Sequence, residues 1–310
     1  MNMMFEEIMD QSGCLWPEAH SNAEVMAGLS YALNQSGGFE NYGVPFCMTV
    51  EAEGMGAKVN MGSKLCEPHV VECPLKSSAQ FPALPMMDLT TGRAKTVLDA
   101  IKILRQKGGD VPLVGNMTGP ISVGGTLLDM STLLKEMRKN PEAVRGYLDH
   151  ICSNLIAFGS AQIRAGADVI CISEPSGTGE ILGPKLFAEY TVRCLNTVFD
   201  GLTVPVKMVH ICGSLKSVYE LLPQIHCDVF SFDAIVPIAE VKKHLPNYAV
   251  MGNISTFAFP EMPPERIAML ANTVMDKGID IVAPACGLPT NTPLKNVRAM
   301  VEAVRTRSKD

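Results

Sequence analysis

Residues 167–173, ADVICIS, and 204–211, VPVKMVHI, are nearly continuous apolar runs, too short for helices and rich in β-branched residues. Runs of this kind mark parallel strands covered on both faces, because a half-exposed strand alternates apolar with polar. Five more runs match them: VPFCMTV (44–50), VPLVGNM (111–117), DVFSF (228–232), YAVMG (248–252) and IDIVAP (279–284). Helical patterns fall near 22–34, 92–107, 140–165, 184–200, 214–223, 236–243, 263–277 and 293–308. Ser21-Asn22 offers a cap to the first of these, and Asn140-Pro141-Glu142 and Pro263-Pro264-Glu265 place proline in a first turn. Strand–helix alternation with short connections predicts βαβ units and a parallel sheet. Seven such strands are one short of a closed (β/α)₈ barrel. The deficit lies at the N-terminus, where residues 1–43 read as helices without a strand. One excursion, 51–88, contains VNMGSKLCEPHVVECP and predicts a small hairpin or flap. With no internal repeat and no Pro/Ser linker, residues 1–310 read as one domain.

The composition narrows the class. Hydrophobic residues make up 47% and charged residues 19% of the 310, a globular balance. The net charge is −6 and no basic run exists, so the footprint of a nucleic-acid-binding protein is absent. No stretch of 18 apolar residues predicts a membrane span. The N-terminal MNMMFEEIMD has two glutamates and no basic region, unlike a secretory signal. Ten cysteines are scattered along the chain, which suits free thiols in a reducing cytoplasm. The G-x-G-x-x-G and P-loop patterns are both missing. A homo-oligomer is left open.

The chemistry-bearing pattern is His210-Ile211-Cys212, at the end of the 204–211 strand, with Cys286 just past the 279–284 strand. Residues two apart in an extended segment point to the same side. Strand ends of a parallel barrel converge at its C-terminal rim, where active sites sit. One imidazole and two thiolates form a soft N/S set suited to zinc, with a fourth position free for a substrate. The plainer alternative stands beside this one, since cysteine is a common core residue and a strand histidine often satisfies a buried carbonyl. Cys47 and Cys171 are strand cysteines, either core thiols or alternative ligands. Cys66, His69 and Cys73 in the flap form a C-x₂-H-x₃-C that is either a second metal site or free side chains. Glu174 and Asp233 follow strands, each as a catalytic carboxylate or ligand, a group orienting His210, or a helix cap. Asn116 and Asn253 end two further strands and offer amides to a cofactor or substrate, or to loop capping. Trp16 reads as a lid or a plug at the rim.

Several segments together resemble one family: LWPEAHSNAEVMA (15–27), YGVPFCMTVEAEGMGAKVNMG (42–62), GNMTGPISV (115–123), AGADVICISEPSGTGEILGPKLF (165–187), VHICG (209–213), MGNIS (251–255) and APACGLPTNTPLKNVRAMV (283–301). They are similar to the zinc-dependent methylcobamide:coenzyme M methyltransferases of the uroporphyrinogen decarboxylase superfamily. The resemblance implies an α/β fold, a TIM-type (β/α)₈ barrel of the uroporphyrinogen decarboxylase type. It implies zinc on His210, Cys212 and Cys286, with Asp233 at the place of an acidic ligand that is usually Glu. The implied activity moves a methyl group from a methylcobamide, brought by a corrinoid carrier protein, to a zinc-activated small thiol such as coenzyme M. Such chemistry belongs to the one-carbon metabolism of methanogenesis. Alternatives are another acceptor thiol such as homocysteine, the reverse, corrinoid-loading direction, a decarboxylase-like lyase, or a non-catalytic corrinoid-binding barrel. True decarboxylases lack the His-Cys-Cys trio and carry an N-terminal Arg-rich motif absent here. The family begins with a helix and a first strand that this chain lacks. The resemblance therefore predicts an open seam between the 44–50 and 279–284 strands, covered by a partner chain, by a helix at 3–12 or by the 51–88 flap.

Overall fold

The computed structural model describes residues 4–307. Among the described residues nine strands form in chain order: β1 Tyr42–Val44, β2 Lys58–Asn60, β3 His69–Glu72, β4 Leu113–Thr118, β5 Val169–Ser173, β6 Val206–Ile211, β7 Val229–Phe232, β8 Ala249–Ile254 and β9 Ile281–Pro284. Seven of them make one all-parallel sheet in the order β1-β4-β5-β6-β7-β8-β9. The sheet curls without closing, because β1 and β9 stand at opposite ends of that order. This is a seven-strand member of the barrel class, with its seam between the first and last strands, as the resemblance predicts. β2 and β3 pair antiparallel as the hairpin expected within 51–88.

The predicted elements appear with shifted bounds. The first strand is Tyr42–Val44 and not 44–50. Pro45 has no N–H to donate to a ladder, and past it the chain turns into the helix Val50–Gly54. The helices Ala23–Gln35, Gly92–Gln106, Pro141–Ala165, Ile238–His244, Pro264–Asp276 and Leu294–Arg307 match their patterns. Asn22 caps the first, its side chain accepting from Glu24 N and Val25 N. The helix expected at 184–200 already begins at Gly179 and kinks at Gly183-Pro184. The 214–223 segment folds only as a 3₁₀ turn, Tyr219–Gln224.

Two helices, Pro120–Leu128 and Met130–Lys139, had no clear sequence signal. PISVGGTLL is rich in glycine and β-branched residues, which are poor helix formers. Packing overrides this: Ile121, Val123, Leu127 and Leu128 are buried, and glycine at 124 leaves room for Leu133, Tyr147 and Leu148.

The helix Glu6–Ser12 sits over the upper part of the seam. Glu6 N donates to Thr290 O at 2.8 Å, beyond β9. The Glu7 carboxylate accepts from Leu294 N at 2.8 Å. Lys64 of the flap pairs with Glu6 and Asp10, and Phe5 packs on Phe39 ahead of β1. Of the expected coverings, the N-terminal helix and the flap both take part. Met3, the first residue of the expected 3–12 helix, lies outside the described residues.

Candidate metal centre at the C-terminal rim

Because every barrel strand runs the same way, the loops after β5, β6, β7, β8 and β9 emerge at one end. His210 is the penultimate residue of β6, Cys212 follows that strand, and Cys286 lies two residues past β9. Their ligand atoms all fall within 4.8 Å of one another. His210 Nε2 lies 2.9 Å from Cys212 Sγ, and Cys212 Sγ lies 3.4 Å from Cys286 Sγ. Zn–S bonds near 2.3 Å and Zn–N bonds near 2.05 Å in a tetrahedron require edges of about 3.8 Å and about 3.6 Å. The two sulfur separations lie within an ångström of those edges and all three donors within 4.8 Å of one another, so the residues fit the metal that their N/S chemistry favours. The two thiols share a proton unequally. The Cys212–Cys286 contact, in which either sulfur can donate, together with His210 holds Cys286 well below the usual thiol range against the opposing effect of burial. Cys212 is raised in turn, by the same pairing and by burial.

The other ring nitrogen, His210 Nδ1, meets Ser231 Oγ at 3.0 Å. Ser231 is His210's register partner on β7. A hydroxyl there fixes the ring so that Nε2 faces the two sulfurs. The apolar run DVFSF gave no sign of this role, although its one buried hydroxyl is a signal that strand pairing could have exposed.

The remaining candidates are placed as follows. Asp233 lies close enough to Cys212 to help raise that thiol, but its carboxylate is outside the ligand cluster. Oδ2 accepts from Gly213 N at 3.2 Å and Oδ1 from Ile235 N at 3.1 Å. Asn253 Nδ2 donates to Asp233 O and Val236 O, tying the end of β8 to that loop. Glu174 is fully buried away from the sulfurs. Its carboxylate accepts from the N–H groups of Ile121, Ser122 and Gly177 and from the Ser122 hydroxyl. That seats the acid on the N-terminus of the Pro120–Leu128 helix, where a negative charge is favoured. A side chain at Gly119 or Gly177 would collide with this carboxylate. Asn116 is buried, with Nδ2 donating to Pro45 O at 3.3 Å. Together with Cys171, Met208, His210, Ser231 and Cys286 it lines a largely apolar cavity of about 600 Å³ inside the curled sheet.

Cys47 is engaged by the Arg93 guanidinium at 2.6 Å. Cys66, His69 and Cys73 do not converge on a shared ligand position. Trp16 is a buried plug, its ring 4.7 Å from His20.

The profile of the family "Uroporphyrinogen decarboxylase (URO-D)" matches residues 1–307. The chain belongs to the uroporphyrinogen decarboxylase family. Among its relatives is the methylcobamide:CoM methyltransferase MtaA of Methanosarcina barkeri, 35% identical over 96% of this chain and 88% of the relative. The methylcobamide:CoM methyltransferase MtbA of Methanosarcina acetivorans is 31% identical over 96% and 89%. A solved structure, a methyltransferase from Methanosarcina mazei, superposes with a TM-score of 0.94 at 32% identity, covering 99% of this chain and 92% of that one.

Proposed function

We propose that this chain is a methyltransferase that moves a methyl group from a methylated corrinoid to the thiol of coenzyme M or a closely similar acceptor. The convergence of His210, Cys212 and Cys286 at the barrel rim carries this reading, in a chain whose relatives are named for that transfer. Zinc held by these three side chains would lower the pKa of an acceptor thiol while the two cysteine thiolates offset its charge and keep the acceptor sulfur nucleophilic. In the transfer, the acceptor sulfur forms a bond to the methyl carbon as the cobalt–carbon bond breaks. Both electrons of that bond stay with cobalt, which goes from Co(III) to Co(I), and the thiol proton leaves to solvent.

The chain's own residues set the geometry. Ser231 orients His210. Asp233 acts as a displaceable fourth donor: its two backbone hydrogen bonds hold it beside Cys212, and a carboxylate is a harder, weaker zinc partner than a thiolate. Asn253 holds the loop that carries it. Glu174 serves by anchoring the loop after β5 to the Pro120–Leu128 helix, and Asn116 by lining the cavity beneath the cluster. Residues 1–310 work as one barrel unit with 51–88 as its flap. The corrinoid arrives on a separate carrier protein, and the reaction takes place in the cytoplasm. No described helix is long and apolar enough to cross a membrane. The test is to mix zinc-loaded protein with methylcobalamin and a panel of thiols, following the corrinoid spectrum and the thioether product. Demethylation with coenzyme M is expected. No transfer to any thiol would overturn the reading.

A further inference from the structure

Three large apolar side chains stand exposed on the rim loops around the metal centre. Phe257, three residues past β8, is 80% exposed; Ile235, three residues past β7, is 65% exposed; Ile181, in the first turn of the helix that follows β5, is 44% exposed. Exposed apolar side chains scattered singly are ordinary, but several on adjoining loops around one site offer a contact surface. Their placement is held by the same hydrogen bonds that build the centre. Ile235 N donates to the Asp233 carboxylate, which also accepts from Gly213, next to Cys212. Asn253, four residues before Phe257, bonds to the backbone of Asp233 and Val236 on either side of Ile235. Glu180, the neighbour of Ile181, lies against Gly213. In the sheet order, the loops carrying Ile235 and Phe257 follow β7 and β8, which lie between the ligand-bearing β6 and β9.

From this arrangement we infer that Phe257 and Ile235, flanked by Ile181, form an apolar shelf that receives the corrin macrocycle of the methyl donor. The inference rests on the methyl-transfer reading above. For in-line attack the cobalt-bound methyl must point at the sulfur position beside Cys212 and Cys286. The cobalt lies at the centre of a ring far wider than a single side chain, so the ring must overlie the loops bordering that position. A corrin ring presents a broad, mainly apolar face, and its amides lie at the periphery. Exposed Phe and Ile at the rim complement that face and would be covered by it.

The experiment uses free methylcobalamin and measures two quantities on zinc-loaded protein: Kd by equilibrium dialysis, and KM in methyl transfer to coenzyme M. Phe257→Ser should weaken both by about tenfold, the order expected when part of a phenyl burial is lost. Ile235→Ser should weaken both several-fold, and Phe257→Leu should stay close to the parent. The KM for coenzyme M and the zinc content should not move in any of them. Unchanged Kd and KM for methylcobalamin in an active parent and in both serine variants would overturn the shelf while leaving the transfer reading intact. So would a defect seen only when the corrinoid is delivered by its carrier protein, which would assign the patch to protein docking. A parent that transfers to no thiol sinks the transfer reading itself, and the shelf with it.

Discussion

His210 shows how one side chain is defined by two others. Its Nε2 faces Cys212, and its Nδ1 is held by Ser231. Outer-shell partners of metal-bound histidines are worth about 10–100-fold in metal affinity or activity. Ser231→Ala is therefore expected to weaken zinc binding by at least about tenfold, read by competition with a chromogenic chelator; an unchanged affinity would mean that the hydroxyl only fills space. Cys286 and Asp233 provide a contrast. Removing a thiolate deletes a soft ligand, whereas Asp233 keeps its carboxylate on two backbone N–H groups. Cys286→Ala should leave the purified protein essentially free of zinc, and Asp233→Ala should retain most of it. Equal metal loss in the two, measured by elemental analysis, would argue against a displaceable Asp233.

At the scale of elements, the Pro120–Leu128 helix depends on a residue far away in sequence. Its own residues form helices poorly, but Glu174 satisfies two of its first N–H groups from a buried position. Glu174→Ala would leave several buried donors without an acceptor, at a cost of about 3 kcal/mol or more. The expected outcome is a matching fall in denaturant stability, with Glu174→Gln, which keeps one acceptor oxygen, milder. A second element-level prediction concerns the N-terminal segment, where His20 is buried between Trp16 and Phe46. Burial, assisted by the nearby Arg93 charge, holds its imidazole down to about 3 from 6.5. A histidine kept neutral in the fold stabilises it fully above its unfolded value and loses that contribution as pH falls from about 6.5 toward 3. Between pH 7.5 and pH 5 this amounts to about 2 kcal/mol. His20→Leu should shrink the stability difference between those two pH values by about that much. If the difference is unchanged, another group governs the acid limb.

For the whole molecule, the core and the metal centre are separable. Buried apolar side chains run in one cluster from Met4 to Val301, whereas the three ligands sit at the rim. Chelation of zinc should therefore abolish methyl transfer yet leave the far-ultraviolet circular dichroism and cooperative unfolding in place, as expected of a catalytic rather than a structural site. Global unfolding on chelation would contradict this. The sheet order adds a gradient of protection, because β5, β6 and β7 have neighbours on both sides while β9 ends the sheet. Hydrogen exchange should be slowest in those central strands and faster in β9.

How much of this was legible in the sequence follows from how local each signal is. Strands such as Val169–Ser173 and Val206–Ile211 could be read directly, because a strand buried on both faces must be apolar throughout. The seven-strand count followed from those runs and the place of the seam from the resemblance, and His210 and Cys212 were visible because they lie at and just past the end of one run. Where the structure departs from the local signal, the cause is in one case a proline within the segment and in the others a partner remote in the chain. Tyr42–Val44 replaces 44–50 because a proline cannot continue the ladder against β4. PISVGGTLL becomes helical because Glu174, 53 residues from Ile121, reaches its N-terminus. Ser231 becomes the orienter of His210 through β6–β7 register, and Asp233 is held beside Cys212 by the N–H of Gly213, 20 residues away. The sequence by itself determined the parallel strands in number and the three soft side chains His210, Cys212 and Cys286, because apolar runs and residue chemistry are properties of the segment that carries them. The tertiary structure alone decided which carboxylates and hydroxyls serve the site, because a hydrogen bond needs two groups brought within about 3 Å and local pattern does not encode that meeting.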